Sequence, residues 1–262
     1  MLENKKQYKY IDNRYSTIKE CIENFCVNKD PEEMHKLRVE IKKLRAFAAF
    51  ASKINQQDMK KSLEPVTKIF KEAGKIRTAE MHLKLLKKYD IDIPGFKTEQ
   101  ETIVETLSVQ FINCSQQYIL DTAMSGDETK NKCQDIRGRQ ILKFYIKKID
   151  ALRDFFSGSC EEKKLHARRK IVKMLLYVEN LLPKKILSKM MLNTSYLDAM
   201  QNTIGEWHDA IITAELLETN AASNKDTLQQ LLKEKEGLLH AVKMLAANFE
   251  KNVCLRKTLL SR

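Results

Sequence analysis

His35, Arg38, Lys42 and Arg45 follow one another at spacings of three, four and three. On a helix turning ~100° per residue they fall on one side, as a cationic stripe running down three turns. His166, Arg169 and Lys173 repeat the first three positions half a chain length later, and Leu176 stands at the fourth. Such groups serve anions. Arginine forks onto two oxygens, lysine acts as a point charge, and histidine donates a hydrogen bond or becomes a cation when an anion raises its pKa. Catalytic patterns are missing by comparison. Glu32-x-x-His35 offers half of a metal site for a helical bundle, but its counterpart Lys163-x-x-His166 would repel a metal. The chain has no Gly-x-x-x-x-Gly-Lys, no Gly-x-Ser-x-Gly and no His-Glu-x-x-His. The expectation is binding without catalysis, metal or cofactor.

The surroundings of the stripe matter as much as its charge. Leu37, Ile41, Leu44 and Ala48 flank it on one side, and Val39, Ala46 and Phe50 on the other, leaving Lys36, Glu40 and Lys43 to face solvent. A stripe between two apolar flanks points into a groove or pore, where like charges repel and lose hydration until an anion arrives. Lys163–Lys170 is the most basic stretch of the chain. Arg14, Lys43, Lys75, Arg77, Arg139, Lys143 and Lys170 are candidates for extending the basic surface. Lys75 and Arg77, beside Gly74, are expected at a helix start, where free backbone amides favour anions. His208 is expected near another helix start, in contact with Asp209. His82 and His240 are expected as surface or filler residues. Between Lys97 and Lys130 there is no Lys or Arg, so that segment, with Glu99, Glu101, Glu105 and Asp121, is expected to stand away from any anion.

The elements that must position these residues are helices. Seven Gly and four Pro in 262 residues are too few for the tight turns of sandwiches, barrels or βαβ folds. The fold class expected is all-α. The pattern predicts helices over 2–28, 31–53, 56–73, 75–89, 97–124, 133–157, 160–182, 195–204, 207–220 and 225–252. Breaks are expected at Gly74, Ile93-Pro94-Gly95, Ser125-Gly126-Asp127, Ser157-Gly158-Ser159 and Leu182-Pro183. Phe25, Lys42, Leu44, Gly74, Ala79 and Leu85-Leu86 all find their match half a chain further on, at Phe156, Lys173, Leu175, Gly205, Ala210 and Leu216-Leu217. Accidental agreement at one ungapped offset is improbable, so two copies of a unit of four or more helices are expected, over about 1–127 and 133–262. Forty-seven Lys and Arg against 35 Asp and Glu give +12, which favours a polyanionic partner. No apolar run approaches a membrane span, and the polar start from Met1 to Tyr10 does not read as a signal peptide. The six cysteines are scattered without a Cys-x-x-Cys pair, the pattern of reduced thiols in the cytoplasm.

His35-x-x-Arg38-Val39-x-Ile41-Lys42-Lys43-Leu44-Arg45 resembles the signature helix of the CHAD family, the conserved histidine α-helical domains. His166-x-x-Arg169-x-x-x-Lys173-x-Leu175-x-Tyr177-x-Glu179 resembles its second copy. Gln201-x-x-Ile204-Gly205-x-x-His208-Asp209-Ala210 is similar to the family's Leu-Gly-x-x-x-Asp-Ala segment, and Gly74-x-x-Arg77 to its first-half partner. The chain departs from the pattern at Thr78 and Glu80, where Asp is usual, at Lys170, which replaces a small aliphatic residue, and at Leu176, which replaces Arg. The resemblance covers essentially all of 1–262 as one domain. It implies two four-helix units related by a pseudo-twofold axis, and a basic central pore that binds inorganic polyphosphate. The implied ligands are His35, Arg38, Lys42, Arg45, His166, Arg169 and Lys173; separately, a monomer with no membrane partner is expected. Aromatic platforms of the kind used for single-stranded nucleic acid are not interleaved with these cations. A nucleic-acid binder using the same groove is the alternative, and a histidine-dependent phosphohydrolase or phosphotransferase ranks below it.

Overall fold

The computed structural model describes residues 1–158, 160–220 and 225–254, and every element within them is helical apart from one isolated bridge between Leu2 and Ile136. Ser159 of the predicted break, and the connection between 220 and 225, lie outside the described residues. The chain divides into two compact units. One, Glu3–Asp135, holds α1 (Asn4–Asn28), α2 (Pro31–Asn55), a 3₁₀ turn (Lys61–Leu63), α3 (Glu64–Lys88), α4 (Pro94–Asn113) and α5 (Ser115–Asn131). The other, Met1–Leu2 with Ile136–Arg262, holds α6 (Gly138–Ser157), α7 (Glu162–Glu179), α8 (Lys184–Met190), α9 (Thr194–Asn220), α10 (Lys225–Ala247) and α11 (Phe249–Val253). No described helix is long and apolar enough to cross a membrane.

The same helix series occurs in each unit. α6, α7, α9 and α10 begin within one helical turn of the positions that a half-chain shift assigns to α1, α2, α3 and α4. At that offset the buried side chains correspond: Met34 with Leu165, Ile41 with Val172, Leu44 with Leu175, Ile76 with Trp207 and Leu86 with Leu217. Within the first unit α2 packs on α1 and α3, α3 on α4, and α5 returns onto α1 and α3; within the second, α7 packs on α9 and α9 on α10.

Two predicted breaks, at Gly74 and Ser125-Gly126-Asp127, and the gap left between the predicted helices 195–204 and 207–220 are not breaks, and each is overridden by a tertiary contact. Gly74 and Gly205 lie inside the uninterrupted helices α3 and α9. Ser125-Gly126-Asp127 lies inside α5, where the Ser125 hydroxyl bonds both Tyr15 Oη (2.7 Å) and the Ser62 carbonyl, and Thr129 Oγ1 also reaches Tyr15 Oη (3.2 Å). Gly126 faces the Tyr15 ring, whose nearest atom is 3.4 Å from where a Cβ would be, an ordinary contact distance. The predicted helix over 97–124 instead divides at Cys114. The start of α2 follows the expected chemistry, with Asp30 Oδ1 accepting from the Glu32 N–H (2.9 Å) and Pro31 in the first turn.

The two mid-helix glycines explain how α2 is held to α3 and α7 to α9. Arg38 Nη1 donates to the Phe70 carbonyl (2.7 Å), and Arg169 Nε donates to the Gln201 carbonyl (2.9 Å), at corresponding positions of the two units. Each guanidinium lies across the glycine one turn further along: a Cβ on Gly74 would sit 2.1 Å from Arg38 Nη1, and one on Gly205 2.3 Å from Arg169 Nη2. Alanine at either site would gain ~1 kcal/mol of helix propensity but displace a charge-assisted hydrogen bond worth ~1.5–3 kcal/mol. Gly74→Ala and Gly205→Ala are therefore expected to lower the melting temperature by a few degrees. Gly237→Ala, in α10 with nothing within 4 Å of the added carbon, is expected to raise it. Thermal melts of the three variants check this, and a rise at Gly74 or Gly205 matching that at Gly237 would contradict it.

Candidate functional site

α2 presents His35, Lys42 and Arg45 on its exposed face, with Arg38 partly buried at the boundary with α3. The feature invisible in the motif is Phe70 of α3. The Arg38 guanidinium carbon lies 4.0 Å from the Phe70 ring centroid, Arg45 5.3 Å and Lys42 Nζ 6.0 Å, so three cations of one helix gather round one aromatic ring of the next. Such contacts attract electrostatically within about 6 Å. Burial first, and Arg77 second, push the Arg38 pKa below its usual value, the direction expected of a cation held among cations. Among the described residues no carboxylate forms an ion pair with Arg38 or Arg45.

Several residues expected to extend the stripe are committed elsewhere. Glu40, expected toward solvent, is buried and holds Arg14 (2.7 Å) and Lys43 (2.6 Å), because α1 packs over that flank of α2. Lys75 pairs with Glu72 (2.7 Å) and Arg77 with buried Glu80 (3.6 Å). Both lie in the middle of α3, so the expected helix start is absent there and no free amides face an anion. Burial raises the Glu80 pKa, and Arg77 opposes that rise.

The second stripe, on α7, is differently equipped. Gln201 stands where the first unit has Phe70, and Leu176 where it has Arg45. Lys173 is partly buried, 5.9 Å from the Tyr177 ring centroid. Burial and then Arg169 push its pKa down, while Asp198 and Asp209 on α9 push it up. His166 stacks on His208, with ring centroids 4.5 Å apart and planes 31° apart. His208 therefore sits mid-helix against His166, and no hydrogen bond joins it to Asp209 among the described residues. Lys170 is exposed on α7, and Arg139 and Lys143 are exposed on α6. His82, expected as filler, has a defined place: its Nδ1 is 2.9 Å from Gln100 Oε1 and its ring meets Phe96.

No protein-family model matches this chain, and no curated protein matches it. A solved structure does: the crystal structure of the CHAD domain from the plant Ricinus communis superposes with a TM-score of 0.66, at 15% sequence identity, over 97% of this chain and 93% of that one. The chain has the CHAD-domain fold.

The geometry divides four of the seven motif residues into two classes. Arg38 and Arg169 tie helices together, whereas Lys42 and Arg45 present charge. Arg38→Ala and Arg169→Ala are expected to cost about 1.5–3 kcal/mol each by removing the charge-assisted hydrogen bond that joins the two helices. Lys42→Ala and Arg45→Ala are expected to stay within about 0.5 kcal/mol of the parent. Urea unfolding midpoints measure this, and a cost at Arg45 equal to that at Arg38 would overturn the division.

Proposed function

We propose that this protein binds inorganic polyphosphate, without catalysing its breakdown, and that the cationic face of α2 is its principal contact. The observation that carries the reading is the gathering of Arg38, Lys42 and Arg45 round Phe70 with no carboxylate paired to Arg38 or Arg45 among the described residues. A stripe of cations on one helix is suited to a flexible chain of phosphates that offers charge at regular intervals and no bases to read. Phe70 serves by limiting where the cations can point, so less side-chain freedom is lost when the anion arrives. Its ring is faced by the cations themselves, which favours phosphate contact over stacking of a nucleobase on that ring. The CHAD-domain fold supports the same ligand through the family resemblance of the signature helices. α7 contributes a weaker contact, with Lys173 close to Asp198 and Asp209 and no cation at Leu176.

The test is a comparison of two double variants that remove equal charge. Lys42→Ala/Arg45→Ala is expected to weaken binding of long-chain polyphosphate by at least about tenfold and to flatten the slope of log affinity against log salt by roughly 1.4–1.8, following the counterion rule of ~0.7–0.9 per contact. Lys184→Ala/Lys185→Ala, at the exposed start of α8, is expected to stay within about twofold. Equal losses in the two variants would leave only a generic basic surface and refute the reading.

A further inference from the structure

The two stripes differ most at the histidines. In the second unit His166 is stacked on His208, whereas position 77, equivalent to His208, carries an arginine in the first. We propose that His166 and His208 form a proton-gated anion site: the pair is neutral when empty, takes up one proton when a phosphate group docks beside Arg169 and Lys173, and so makes the second unit's grip on polyphosphate tighten as pH falls. The proposal rests on the polyphosphate reading but concerns only the α7–α9 surface.

The charges facing the pair decide its empty state. From α7 come Arg169 and Lys170, and beyond them Lys173; from α9 come Asp209 and, nearer Lys173, Asp198. Burial, His208, Lys170 and Arg169 all push the His166 pKa below its ordinary value, and Asp209 opposes them. His166 Nδ1 is buried and lacks a hydrogen-bond partner among the described residues, so nothing there welcomes a second ring proton. A docked anion reverses the balance. Its negative charge faces the same rings that Lys170 and Arg169 repel, and one imidazolium stacked on one neutral ring remains an attractive cation–π contact. Two imidazoliums 4.5 Å apart would repel, so the pair accepts one proton and titrates as a unit.

The sign follows from linkage. The His166 pKa is higher with anion than without, so the added affinity is fully present below its empty-state pKa, which lies under the ordinary value, and fades as pH rises through the bound-state value.

Sulfate is a suitable first probe because it does not itself titrate between pH 5 and 8. Imidazole NMR titrations of the full chain, in sulfate and in chloride at matched ionic strength, are expected to show the His166 and His208 resonances moving up by at least half a pH unit in sulfate, with His240 unmoved. In His208→Gln the sulfate-induced shift at His166 is expected to shrink by half or more. With long-chain polyphosphate, parent affinity is expected to rise at least fivefold more between pH 7.5 and 5.5 than that of His208→Gln. Equal titrations in the two salts, or equal pH profiles in parent and variant, would overturn the gate while leaving polyphosphate binding on α2 intact. A sulfate shift without polyphosphate binding at any pH would instead uphold the proton-coupled anion site and refute polyphosphate as its ligand.

Discussion

A guanidinium laid across a glycine is the contact on which each unit's cationic face depends. Arg38 reaches from α2 over Gly74 to the carbonyl of Phe70, and Arg169 reaches from α7 over Gly205 to the carbonyl of Gln201. A helix carbonyl already accepts one bond along its own helix, and its second lone pair is what the arginine takes. Only glycine lets a planar cation lie that close to the backbone. The arrangement fixes the rotation of α2 against α3, and with it the direction in which Lys42 and Arg45 point.

The stripe therefore works by division of labour within one motif. Part of its positive charge is used to join helices, and the remainder is presented outward. In the first unit the aromatic ring of Phe70 lies beside both kinds of cation, so the same residue serves packing and presentation. In the second, a glutamine, a leucine and two nearby aspartates replace that environment, and a histidine pair takes the place of pure cationic charge. One fold thus carries two cationic surfaces with different side chains around them.

Much of this is legible in the chain itself. Helical periodicity, scarce glycine and proline, and the Asp30-Pro31 cap are local signals, and the all-helical class and the start of α2 that they indicate are present. The half-chain spacing of Gly74 and Gly205 is also visible, but its meaning is not. Glycine in isolation reads as a break, and only the arginine from the neighbouring helix makes it a site of close approach. Ser125-Gly126 misleads for the same reason, since its partner Tyr15 is remote in sequence and belongs to α1. Phe70 cannot be found from the stripe, because a wheel shows the neighbours on one helix and not those on the next. Glu40 is misplaced because a carboxylate on a helix flank looks solvated until Arg14 from α1 is seen to meet it.

The central claim is that the α2 face is shaped for a chain of phosphates rather than for nucleic acid. Titration of the protein with long-chain polyphosphate, single-stranded RNA and duplex DNA, side by side at physiological salt, tests it most directly. The account predicts that polyphosphate binds at least tenfold more tightly than either nucleic acid and displaces both. RNA or DNA binding as tightly as polyphosphate, or more so, would contradict it.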